Sequence, residues 1–168
     1  MKPRSARTSR NPQLALRLDA ELPDPAVRWR DGATLTYLGD VVTLCISTTR
    51  NMAILEDRVL HLPLPPAATP RQIQDGVEAW LRQEAAGVIG ACLERAARHV
   101  VPACSLPNWS FSFSARGGWA QNHADGSLRF NWRLIEQPRE TIEQVVAAAF
   151  GALPAANATA DLWDMPKA

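Results

Sequence analysis

Apolar and polar residues alternate in short bursts along the first third of the chain, then change to a helical period. Leu14–Leu18 alternate as a strand requires, until Pro23 and Pro25 interrupt. Four more short strands are predicted at Thr34–Leu38, Val41–Ser47, Met52–Leu55 and Val59–Leu62. Gly39-Asp40 and Glu56-Asp57 are the expected turns between the first and the last pair. After Pro63-Leu64-Pro65-Pro66 a helix is predicted to start at Thr69, with Pro70 at its first position and Gln72 completing a capping box. Ile73, Val77, Trp80, Leu81, Val88, Cys92 and Leu93 then fall on one helical stripe that runs toward His99 and Pro102. Gly76, Gly87 and Gly90 lie inside it at about 1 kcal/mol each relative to alanine, so tertiary packing has to hold this helix.

Alternation returns with Trp109, Phe111 and Phe113 between serines, and again with Leu128, Phe130 and Trp132. The segment between the two is rich in glycine, asparagine and aspartate and is expected to be a loop. Pro138 opens a last helix on which Ile142, Val145, Val146, Ala149, Phe150 and Leu153 share one face, and Pro154 stops it. The order of elements predicts an α+β fold, with helices packed on one mainly antiparallel sheet. Residues 1–12 are expected to form a basic flexible tail, and 13–168 a single domain.

Composition narrows the functional classes. At 168 residues the chain can bury a sizeable core. No apolar run approaches the roughly 18 residues of a membrane span, and none follows the basic start as a secretory leader requires. Cys45, Cys92 and Cys104 are odd in number and widely spaced, which speaks against a disulfide framework or a zinc knot. Buried thiols in a reducing cytoplasm are expected. Residues 1–30 carry seven basic groups against three acidic ones, leaving +4 there and −3 on the remainder. Lys2, Arg4, Arg7 and Arg10 could therefore give weak contact with nucleic acid, although no aromatic residue or motif accompanies them.

Candidate chemistry is sparse. His61, His99 and His123 are scattered, and none pairs with another at i, i+4. Asp161 and Asp164 lack imidazole partners for a zinc site. There is no G-x-S-x-G elbow, and Arg116-Gly117-Gly118 is far from a phosphate-binding loop. Trp119, Arg129, Asn131 and Arg133 are candidates for a groove suited to a peptide or an anion, although neighbouring strand residues must face opposite ways.

Several segments together resemble the YgjP-like metallopeptidases, a family related to the SprT-type zincins. They are Trp29-Arg30-Asp31-Gly32, Leu35-Thr36-Tyr37-Leu38-Gly39, Leu62-Pro63-Leu64-Pro65-Pro66 and the helix that carries Trp80. The most specific is Phe130-Asn131-Trp132-Arg133-Leu134-Ile135 ahead of Pro138 and Val145-Val146, because family members carry N-W-R-L just before their H-E-x-x-H helix. The resemblance implies a zincin-like fold over roughly residues 28–163. It also implies two zinc-binding histidines and a general-base glutamate on the last helix. Carried onto this chain, those positions are Ala148, Ala152 and Ala149, and the third ligand position, ahead of Leu162-Trp163, is Ala158. Trp119 matches the family's R-W-G-S-C-like loop, whereas Gly118, Ala120, Gln121 and Asn122 depart from it.

A methyl group has no lone pair for zinc and accepts no proton from water. The expectation is a pseudoenzyme without cofactor that binds a protein, peptide or anionic ligand in the former substrate groove. Two alternatives stay open. One is a metal-dependent hydrolase of peptides or nucleoside triphosphates with unusual ligands. The other is a nucleic-acid-associated module that uses the basic arm.

Overall fold

The computed structural model describes residues 29–100, 106–113 and 118–153. Strands β1 (Thr34–Tyr37), β2 (Asp40–Ile46), β3 (Ile54–Glu56) and β4 (Val59–Leu62) precede the 31-residue helix α1 (Pro70–Val100). Strands β5 (Trp109–Ser112), β6 (Ala120–Asn122) and β7 (Leu128–Asn131) follow, then a 3-10 turn (Trp132–Glu136) and helix α2 (Arg139–Gly151). The class is α+β. Where one sheet was expected there are two, ordered β1-β2-β4-β3 and β5-β7-β6. Both are mixed, since β2 runs parallel to β4 and β5 parallel to β7. Periodicity marks which residues face a core. It does not say which strand lies beside which, so the parallel pairs were not legible from it.

Leu35, Val42, Leu44, Leu60 and Leu62 form the inner face of the first sheet. Along α1, Ile73, Val77, Trp80, Leu81, Ala85, Ile89, Cys92, Leu93 and Ala97 are buried in the same continuous core, joined by Leu128 and Phe130 from the second sheet. The expected stripe holds except at Val88, which is half-buried while Ile89 takes the core position. The capping box forms: the Thr69 N–H donates to Gln72 Oε1 (2.8 Å) and the Gln72 N–H to Thr69 Oγ1 (3.3 Å).

Two details fix the last helix against the first hairpin. The Leu38 N–H donates to the Ile135 carbonyl (2.8 Å), tying the β1–β2 turn to the 3-10 turn. Beside it Gly39 has φ +84°, and a Cβ there would lie 3.0 Å from Pro138 Cγ. Both conformation and space demand glycine. The turn therefore centres on Leu38-Gly39, one residue earlier than expected, and the next centres on Asp57-Arg58, one residue later. The Leu14–Leu18 strand, the tail with Lys2, Arg4, Arg7 and Arg10, and Pro154 lie outside the described residues. No described helix is long and apolar enough to cross a membrane.

Candidate functional site

Helix α2 starts at Pro138 and turns Ile142, Val146, Ala149 and Phe150 into the core, so the expected apolar face is the one it buries. Ala148 and Ala152 lie four residues apart on its exposed flank, the Ala152 N–H donating to the Ala148 carbonyl (3.1 Å). These are the two positions that the resemblance gives to histidines. They share a face, and both are exposed. Ala149, the position given to the general base, is different: it is 7% exposed and packed into the protein. Ala158 lies outside the described residues.

Strand β6 meets the end of α2 at the Ala149 carbonyl. The Leu153 N–H turns to the Phe150 carbonyl, which leaves the Ala149 carbonyl without the i+4 donor that a longer helix would provide. Asn122 at the end of β6 supplies the missing bond, its Nδ2 donating to that carbonyl at 2.8 Å. The sequence predicts a loop around β6 and offers Asn122 no role beyond departing from a family motif. Three residues are too few for a periodic signal, and a side-chain cap across the fold leaves none.

The strand register sorts the groove candidates. Ala120 pairs with Phe130, Gln121 with Arg129 and Asn122 with Leu128. Paired residues project from the same face, and successive ones alternate. Asn122, Phe130, Phe111 and Trp109 thus face the helices, while Trp119, Gln121, Arg129 and Asn131 share the opposite face. Three of the four candidates are brought together, on the face turned away from α2. Trp119 is 38% exposed, and the Asn131 N–H donates to its carbonyl (2.9 Å). Asn131 Oδ1 is occupied in accepting from the Arg133 N–H (3.0 Å), which starts the 3-10 turn. Arg133 belongs elsewhere: its guanidinium lies 4.8 Å from the Trp132 ring centroid and pairs with Glu136. Arg82 stands over the same ring at 5.2 Å. Trp132 itself is core, so the strand pattern that runs through it ends one residue early.

Among the described residues, strand β6 is also an edge. The Trp119 carbonyl accepts from the Asn131 N–H of β7, and the His123 N–H donates to the Ser127 carbonyl just ahead of β7 (2.9 Å). The alternation then turns the backbone N–H and C=O groups of Ala120 and Asn122 outward, away from β7. An outward row of this kind, beside the exposed flank of α2, suits the backbone of an extended peptide.

Metal donors are scarce by comparison. No group of three or more His, Cys, Asp or Glu side chains able to hold a metal occurs among the described residues. His123 Nε2 is shut off from solvent without a hydrogen-bond partner, but one imidazole does not make a zinc site. Zinc, the metal expected of the family, finds no donor at Ala148, Ala149 or Ala152. Asp125, next to this strand, has its carboxyl held below the usual range by hydrogen bonds from the Ser127 hydroxyl and N–H, which makes it a turn-former.

No curated protein and no solved structure matches the chain. The family model of the YgjP-like metallopeptidase domain matches residues 13–147, most of the sequence, and its matched span stops one residue short of Ala148. The chain belongs to the YgjP-like metallopeptidase-domain family.

Proposed function

We propose that this protein is a catalytically silent member of its family, which keeps the peptidase scaffold and binds an extended peptide segment without cleaving it. The observation that carries this reading is the chemistry of α2. Its two solvent-facing positions at i, i+4 are methyls, and the position between them that would hold the base is buried in the core. The end of the family match at Ala147 supports it, because likeness to the family stops where the metal-binding residues would begin. Binding uses what remains: the outward backbone groups of Ala120 and Asn122 and the open alanine flank of α2.

Two measurements test the two halves of the proposal. Purified protein incubated with zinc should hydrolyse neither an unfolded protein substrate nor a nucleoside triphosphate above buffer. A panel of extended peptides should contain binders whose affinity falls when Ala120→Pro removes an outward N–H, a change an edge strand tolerates. Hydrolysis that depends on added metal contradicts the silent reading. Binding that is indifferent to Ala120→Pro contradicts the place of binding.

A further inference from the structure

The outer face of the first sheet carries a pair of metal-ligating side chains remote from α2. Cys45 on β2 and His61 on β4 are direct partners in the parallel register, between the pairs Leu44–Leu60 and Ile46–Leu62 that face the core. Both therefore project outward side by side, and both are half-buried. The sequence predicts buried thiols; Cys92 is one, whereas Cys45 is only partly covered. The surroundings are apolar or neutral. Ile54 is the partner of His61 on the other side, and Thr43 and Val59, partners of each other, lie two residues along on the same face. The neighbouring carboxylates are already engaged: Asp31 Oδ1 accepts from the Ile46 N–H, and Glu56 is held by Arg50.

We propose that Cys45 and His61 form a two-donor site for a soft monovalent cation, of which copper(I) is the biological example. The donor set decides the class. A thiolate and an imidazole without a carboxylate do not suit magnesium or calcium, which take several oxygen ligands. Zinc in a protein site almost always takes four ligands, and the register offers two. Copper(I) is soft, favours sulfur, and is satisfied by two donors in line. Binding takes the proton from the Cys45 thiol and releases it to solvent, so the site gains one positive charge from the metal and loses one proton.

The test is anaerobic competition between the full-length protein and a chromogenic copper(I) chelator. The wild type should withdraw one equivalent of metal. Cys45→Ser and His61→Phe should each weaken binding by more than the roughly 10–100-fold that loss of an outer-shell partner costs. Cys92→Ala and Cys104→Ser should retain it. Both ligand variants lie on the outer face, and unchanged melting curves would show that they remain folded. If His61→Phe leaves the affinity unchanged while Cys45→Ser abolishes it, the metal is held by a lone thiol and the site is overturned. Equal binding by all variants, meaning adventitious metal only, overturns it as well.

Discussion

Phe150 and Ala148, two residues apart on α2, have opposite surroundings and should respond oppositely to substitution. Phe150 is buried in the core, so Phe150→Ala should cost about 3–5 kcal/mol, a large part of the stability of a domain this size. Ala148 faces solvent, so Ala148→Ser should cost under about 1 kcal/mol. Chemical denaturation of both variants checks the pair; equal damage would mean that the Ala148 flank is closed and offers no surface to a partner. Arg58 gives a prediction of opposite sign. It sits at φ +64° in the β3–β4 turn, where a side chain costs about 1–2 kcal/mol, and its ion pair with Asp40 at 3.5 Å is exposed and worth little. Arg58→Gly should raise stability by up to about 1 kcal/mol once glycine's greater unfolded-state entropy is counted, and the denaturation midpoint would show it. That strain was invisible in the sequence, which placed the turn one residue earlier, on Glu56-Asp57. Asn122 was equally hidden, because its partner, a backbone carbonyl in α2, is 27 residues away.

Elements were more legible than their pairings. The strand at Val59–Leu62, the start of α1 and the buried face of α2 follow from alternation, a capping box and a helical stripe, each a local signal. The parallel partners of β2 and β5, the edge strand β6 and the 3-10 turn after Asn131 depend on long-range contacts that no local pattern records. One such contact docks the first hairpin on α1. The Tyr37 hydroxyl donates to Glu84 Oε2 at 2.7 Å, and the Tyr37 ring lies 5.0 Å from that of Trp80. Burial, and then the hydrogen bond to Glu84, push the phenol well above its usual value and hold it neutral. In the unfolded chain a tyrosine ionises near pH 10, so the stability this group contributes is complete below that pH and is lost as pH rises beyond it. Tyr37→Phe should therefore cost about 1–2 kcal/mol at neutral pH and flatten the alkaline decline above about pH 10. Denaturation at a series of pH values measures both effects. An unchanged alkaline slope would remove Tyr37 from the account.

Across the whole molecule, the proposal separates the scaffold from the chemistry. Residues 13–147 match the family, the core is continuous from the first sheet to α2, and the expected metal positions on that helix carry methyls. If the register is right, Ala148→His, Ala152→His and Ala158→His together should confer zinc affinity, at about half a kcal/mol of helix propensity for each of the first two. Calorimetric titration with zinc reads the gain; a folded triple variant that ignores zinc would argue for a different register. Hydrolytic activity is a harder demand, because a glutamate at position 149 has to replace a buried methyl in the packed face of α2. The most direct test of the silent-enzyme account is the zinc content of the native protein, measured by elemental analysis alongside its melting temperature with and without chelator. A silent enzyme should hold no stoichiometric zinc and melt at a temperature indifferent to a zinc-selective chelator, since zinc that binds only the folded state would have raised it. One tightly held zinc per chain, with a melting temperature that falls when the metal is removed, would contradict it.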